Sequence, residues 1–135
     1  MRVVAYNIKE FEKELLAKAN AKVHDLTFIS NPLTLCTIRY AAGKDAVIIS
    51  EQDLVDQSIL SQLNHLGIKN IVTRSSSITH IDMKAAQSLH MHVSNIDDSA
   101  TSGMSMAEQT ILKLRNDELF TIDTTASLPI HPLKK

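Results

Sequence analysis

Apolar residues in this chain follow two rhythms that take turns. Short unbroken runs such as Val3-Val-Ala-Tyr6 and Ala46-Val-Ile-Ile49 are what strands buried on both faces of a sheet look like. Between them, apolar residues recur every three or four positions with charges opposite, as Phe11, Leu15, Leu16 and Ala19 do. The pattern predicts a strand over Arg2–Tyr6, ended by the turn-former Asn7, and a helix over Lys9–Ala21. A second strand is predicted over Asp25–Ile29, closed by the breaker cluster Ser30-Asn-Pro32. Leu33–Ala42 is a short ambiguous segment ending at Gly43. Ala46–Ile49 reads as the third strand. The helix after it has the stripe Leu54, Val55, Ile59, Leu60, Leu63 and Leu66, with Asp53 as its cap. Gly67 stands where a left-handed helix end favours glycine. Ile68–Thr73 reads as the fourth strand, Asp82–Leu89 as a short helix and Met91–Asn95 as the fifth strand.

Strands alternating with helices argue for a parallel sheet covered on both faces. The expected fold is a flavodoxin-like α/β three-layer sandwich, a five-stranded parallel sheet of order 2-1-3-4-5 with right-handed crossovers. Ligands of such sheets bind at the carboxyl ends of the strands. Those ends are Tyr6–Ile8, Ser30–Asn31, Ser50–Gln52, Arg74–Thr79 and Ile96–Ser99. After Asn95 the pattern changes. Asp97–Gly103 is a polar loop, and Met104–Arg115 has Met104, Ala107, Ile111 and Leu114 on one helical face. Leu119–Ile122 reads as a last strand. The expected organisation is one domain over residues 1–123 and an irregular tail over 124–135, with Pro129 and Pro132 in it.

A length of 135 residues fits one domain. The formal net charge of −1 gives no electrostatic reason to expect nucleic acid or an acidic membrane, and aromatics at 4% without tryptophan leave no base-stacking platform. Cys36 is the one cysteine, so no intramolecular disulfide forms, which fits a reducing compartment. No apolar run approaches the roughly 20 residues that span a bilayer, and Met1–Tyr6 meets charges too soon to open a secretory signal. The expected location is the cytoplasm.

The candidate chemistry gathers in Arg74-Ser-Ser-Ser77 and the residues after it. Successive amides on a turn make an anion-binding concavity, and hydroxyls add donors. The three serines lack the flanking glycines of a nucleophile elbow. Arg74 suits a carboxylate ligand, although a surface arginine is the commoner case. His80 is expected to pack the loop and Asp82 to cap the next helix. His90 and His92 alternate as a metal pair would, but no acid or thiol stands near them in sequence, so no metal site is expected. Cys36 reads as a buried or half-buried thiol, Asp97-Asp98 as solvated acids, and Met104 and Met106 as packing or partner-groove residues. Gly43, Gly67 and Gly103 are isolated, so there is no Gly-x-Gly-x-x-Gly turn for a dinucleotide.

An ordered series of short blocks resembles the catalytic, substrate-binding domain of the D-2-hydroxyacid dehydrogenases, closest to the D-lactate dehydrogenase branch. The blocks include Val3-Val-Ala-Tyr6, Phe11-Glu-Lys-Glu14, His24-Asp-Leu-Thr27, Gly43-Lys-Asp-Ala-Val47 and Leu66-Gly-Ile-Lys69, then Thr73-Arg-Ser75, His80-Ile-Asp82, Lys84-Ala-Ala86 and Val93-Ser-Asn95. The resemblance runs from Arg2 to Thr110. It implies that the loop after the fourth strand presents the amides of Ser76 and Ser77 to a substrate carboxylate, with Arg74 and Ser75 beside them. The family carries glycine at the position of Ser77 and aspartate at that of Thr79, so a positive φ at Ser77 would strain this chain. The family's catalytic arginine, acid and histidine, and its nicotinamide domain, have no counterpart here. The expected function is therefore a stand-alone substrate domain that binds a small 2-hydroxy or 2-oxo carboxylate, with no catalysis or cofactor of its own. NAD enters only if a separate nucleotide-binding domain is supplied. The alternatives are a partner-binding or homo-oligomeric module, most simply a dimer, and one half of a split NAD-dependent dehydrogenase.

Overall fold

The structure, a computed structural model, describes residues 1–97 and 105–127, excepting the side chains of 117–127. Five strands pair in parallel in the order β2-β1-β3-β4-β5, the order expected: β1 Arg2–Ala5, β2 Asp25–Phe28, β3 Ala46–Ile49, β4 Asn70–Thr73 and β5 His92–Ser94. The helices are α1 Glu10–Asn20, α2 Gln57–His65, α3 Met83–Ser88 and α4 Met106–Ser127. The ambiguous segment before β3 closes with a 3-10 turn over Ile38–Ala41.

The central strands β3 and β4 are buried on both faces, which is why β3 reads as an unbroken apolar run, while β4 buries Asn70 and Thr73 at its ends. Their side chains alternate between two cores. Val4, Tyr6, Val47, Ile49 and Ile71 pack with Ile59, Leu60 and Leu63 of α2. Val3, Ala5, Ala46, Ile48 and Val72 pack with Leu16 of α1 and with Ala107 and Leu114 of α4. A one-residue slip in register would exchange the two sets.

Four local expectations are corrected. First, α2 is capped by Asp56, whose Oδ1 accepts from Ile59 N–H at 3.0 Å; Asp53 is buried and does something else. Second, Phe11 and Leu15 are 64% and 53% exposed. The face α1 buries is set instead by Leu16 and by Asn20, whose amide brackets His24 at 2.8 and 2.9 Å. Third, Leu119–Ile122 is helix, not strand, because α4 runs on through Ser127. No glycine or proline separates Leu114 from Leu119, so extending the helix costs less than starting a strand. Finally, Cys36 is exposed. Asp98, Met104 and residues 128–135 lie outside the described residues. Among those described, no helix is long and apolar enough to cross a membrane.

Candidate functional site

The carboxyl ends of β1, β3 and β4 are tied together by two buried charged side chains. Asp53 is one. Its Oδ1 accepts from Leu33 N–H at 2.9 Å and from Asn7 Nδ2 at 3.3 Å, and its Oδ2 accepts from Ser50 N–H at 2.9 Å. One carboxylate thus gathers the segments that follow β1, β2 and β3. Asn7 turns the chain there with φ of 57°, as its residue type suggested.

Arg74 is the other. Nε donates to Glu12 Oε2 at 3.1 Å, while Nη1 and Nη2 donate to the carbonyls of Tyr6 and Asn7, each at 3.1 Å. The guanidinium is therefore held by acceptors of this chain, and the Glu12 carboxylate offsets its charge. Tyr6 is fixed nearby, its hydroxyl donating to Thr37 O at 2.8 Å. Burial first, then Asp53 and Tyr40, push the Tyr6 pKa up, so the group remains a donor.

The loop after β4 follows directly. Ser75 O accepts from Ile96 N–H at 3.1 Å, and Ser76 O accepts from Asn95 Nδ2 at 3.1 Å. In an extended strand successive carbonyls point opposite ways; here two in a row turn to the segment after β5. All peptides described are trans, so the amides of Ser76 and Ser77 turn together to the other side. Neither amide finds an acceptor among the described residues. Ser77 is not among the residues of positive φ, so serine in place of the family's glycine brings no left-handed strain.

Ser75, Ser76 and Arg74 line a cleft of about 210 Å³ together with Glu51, Ile96, Asp97 and Met106. That is below the roughly 300 Å³ at which drug-sized ligands begin to fit. Glu51 and Asp97 are exposed acids and set a negative rim. Ser77 Oγ faces Thr79 Oγ1 at 3.0 Å and accepts from Thr79 N–H at 3.2 Å, so it belongs to the loop's own bonding. Arg74, Ser75, Ser76 and Ser77 thus occupy one place, with different tasks. His80 is buried, with Nε2 2.9 Å from Thr73 Oγ1. Burial lowers its pKa, against the smaller opposing pull of Glu51 and Asp53. Asp82 caps α3 through Ala85 N–H at 3.1 Å. His90 sits in a left-handed turn with φ of 58°, before β5 rather than within it.

Sequence reasoning missed Glu12, Asp53 and Asn95 at this site. Asp53, three residues after Ser50, carried a local turn signal. Glu12 is 62 residues from Arg74, and nothing local links them.

A dinucleotide's pyrophosphate does not fit the turn from β1 into α1. The turn is Asn7-Ile8-Lys9, with Ile8 buried, and the first turn of α1 carries Glu10 and Glu12. The Glu12 carboxylate already accepts from Lys9 N–H at 3.1 Å. Acids and side chains stand where the pyrophosphate needs glycines and free amides.

Residues 3–124 match the family described as D-isomer specific 2-hydroxyacid dehydrogenase, catalytic domain. A 2-hydroxyacid dehydrogenase homolog of Haemophilus influenzae is 31% identical over 112 residues, 82% of this chain and 33% of that protein. A D-lactate dehydrogenase of Leuconostoc mesenteroides is 27% identical over 84% of this chain and 34% of its own length. Among solved structures, the apo-structure of D-lactate dehydrogenase from Escherichia coli superposes with a TM-score of 0.69 at 29% identity, covering 71% of this chain and 31% of that one. The chain thus spans about a third of the length of these relatives. With its sheet order, loop and match over residues 3–124, the chain belongs to the D-isomer specific 2-hydroxyacid dehydrogenase family, through the catalytic domain.

Proposed function

We propose that this domain binds a small 2-hydroxy or 2-oxo monocarboxylate at the loop after β4, the amides of Ser76 and Ser77 taking the carboxylate. One observation carries the reading: two consecutive amides without acceptors, turned the same way at the carboxyl end of a central strand, beside a buried arginine. Arg74 contributes positive potential beside them; three of its five N–H donors go to Glu12, Tyr6 and Asn7. The negative rim of Glu51 and Asp97 disfavours a second charge on the ligand, so monocarboxylates are preferred over dicarboxylates and phosphorylated acids. Hydride exchange with NAD is then a property of a larger protein or assembly in which a nucleotide-binding domain faces this cleft. A cytoplasmic location accords with the single exposed thiol.

The test is calorimetric titration with pyruvate, D-lactate, glyoxylate, oxaloacetate and D-malate, each with and without NADH. Heat with the first three and little with the last two is expected. Absence of heat with every acid refutes the reading, and binding that requires NADH refutes the account of the β1–α1 turn.

A second reading, self-association, is favoured by the exposed Phe11 and Leu15 on α1. They line an apolar cleft of about 80 Å³ with Leu16, Met106 and Ala107. A two-fold pairing of α1 surfaces would cover it. Sedimentation equilibrium of the wild type and of a Phe11→Ser, Leu15→Ser variant tests this; a wild-type monomer at high concentration removes the reading.

A further inference from the structure

Ser75 lines the cleft, yet its hydroxyl is not free for a ligand. Ser75 Oγ donates its only proton to Ser77 O at 2.8 Å, because a carbonyl can only accept. The 2.9 Å contact between Ser75 Oγ and Thr73 Oγ1 must then use the proton of Thr73. With that proton spent, the 2.9 Å contact between Thr73 Oγ1 and His80 Nε2 must use a proton on Nε2. The polarity of the whole chain follows: His80 Nε2–H to Thr73, Thr73 O–H to Ser75, Ser75 O–H to the carbonyl of Ser77.

The near end of this chain is anchored independently. His80 O accepts from Val55 N–H and Val55 O accepts from Asp82 N–H, both at 2.9 Å, which pins His80 to the segment before α2. Thr73, Ser75 and His80 are all buried, so the two hydrogen bonds among them do not exchange freely with water, and the bond to Ser77 O is part-buried. The neutral imidazole carries one proton, and His80 Nδ1, buried, has no hydrogen-bond partner among the described residues. Both facts agree with a proton on Nε2 and none on Nδ1.

We propose that His80, Thr73 and Ser75 are positioning residues: a one-way hydrogen-bond relay that fixes the Ser77 carbonyl and so aims the Ile78 amide as a third donor beside the Ser76 and Ser77 amides, which Ile96 and Asn95 aim through the Ser75 and Ser76 carbonyls. The proposal rests on the carboxylate-binding reading for its purpose, not for its geometry. Each carbonyl of the loop is held on its own partner: Ser75 O on Ile96 N–H, Ser76 O on Asn95 Nδ2, and Ser77 O on Ser75 Oγ. Because the peptides are trans, fixing a carbonyl fixes the next amide in the opposite direction. The amides of Ser76, Ser77 and Ile78 are therefore aimed before any ligand arrives. A preset donor array spares the ligand the ordering cost, which is where such supporting bonds act on affinity.

The experiment uses the full chain as it exists, with two readouts. Nitrogen-15 NMR of the imidazole ring reports the His80 tautomer and the Ser77 and Ile78 amide shifts, without ligand. Calorimetry with pyruvate reports affinity. The variants are Thr73→Val, which keeps the shape and removes the hydroxyl, Thr73→Ser, which keeps the hydroxyl, and Ser75→Ala. The wild type is expected to carry the proton on Nε2. Thr73→Val and Ser75→Ala are expected to shift the Ile78 amide and weaken pyruvate about tenfold, while Thr73→Ser restores both.

A proton on Nδ1 would overturn the relay. So would wild-type amide shifts in Ser75→Ala, or weakening of pyruvate binding by Thr73→Ser as great as by Thr73→Val. If the wild type binds no acid, the functional reading fails, and the tautomer and amide shifts decide the relay on their own. Should Thr73→Val not fold, Ser75→Ala carries the same test from the end nearer Ser77.

Discussion

Asp53→Ala gives the sharpest separation between a capping residue and a structural tie. As a helix cap, the carboxylate would be worth about 1 kcal/mol. Its surroundings imply more. Leu33 N–H is fully buried at 2.9 Å from Oδ1, and without the carboxylate it has no acceptor; such an orphaned donor costs about 1–3 kcal/mol, towards the top of that span for a dry site. Ser50 N–H, part-buried at 2.9 Å from Oδ2, adds roughly 1 kcal/mol. The 3.3 Å contact to Asn7 Nδ2 is long and adds little, though losing it frees a residue held at positive φ. The expected loss is about 3–4 kcal/mol, a large share of a small domain's stability. Urea unfolding followed by circular dichroism measures it. With a slope near 1.5 kcal/mol per molar, the midpoint falls by about 2 M. Asp53→Asn, which keeps one acceptor oxygen, is expected to lose about half as much. A midpoint change equivalent to 1 kcal/mol or less in Asp53→Ala, with the slope unchanged, would refute the reasoning and return Asp53 to a capping role.

Three further outcomes are expected. Glu12→Gln removes the charge that offsets Arg74; it should cost about 1 kcal/mol in unfolding free energy, since the pair is partly screened, and tighten pyruvate roughly two- to fivefold at low salt. Unchanged affinity would mean that Arg74 does not act on the ligand. The buried imidazole of His80 has a pKa below its ordinary 6.5, with burial opposed by Glu51 and Asp53. Below pH 6.5 the unfolded chain therefore takes up a proton that the folded chain refuses, and stability falls as pH falls, by at most about 1.4 kcal/mol per pH unit. His80→Gln should flatten that part of the profile between pH 7.5 and 5.5 in thermal melts, and equal slopes would exclude His80 as its source. Gly67 has φ of +88°, and a Cβ at that position would meet nothing within 4 Å, so Gly67→Ala should cost about 1 kcal/mol in unfolding free energy through backbone conformation alone, a clash being absent.

What the sequence made legible was whatever depends on neighbours along the chain. β3 was visible because a strand buried on both faces favours apolar residues at every position, and a run such as Ala46–Ile49 has few other uses. Gly67 was visible because a left-handed helix end favours one residue type. Periodicity placed α1 but misjudged its rotation. Phe11 and Leu15 have the hydrophobicity of core residues, yet the face towards the sheet is chosen by Leu16 and by Asn20, whose amide reads the backbone of His24. A stripe of four apolar residues cannot say which two will be covered. The Leu119–Ile122 strand failed for a related reason: short apolar runs suit both periods, and the run of helix before it decided.

The site divides along the same line. Its location was legible, because the sheet order puts the Arg74–Thr79 loop at a carboxyl edge. The tasks of its residues were not, because each task depends on a partner far away in sequence. Arg74 reads as an arginine free for a ligand until Glu12, Tyr6 and Asn7 are seen to take three of its five N–H donors. Ser75 reads as a ligand donor until its proton is traced to Ser77 O. On the proposed carboxylate reading, what a ligand would meet is the Ser76 hydroxyl and the backbone of Ser76 and Ser77, the latter being the part of a residue that side-chain identity does not encode. A loop that works through its amides tolerates serine for glycine provided φ stays negative, as it does at Ser77. The chemistry of such a site is therefore held by the residues that aim the backbone, Asn95, Ser75, Thr73 and His80, rather than by the serines that would touch the acid.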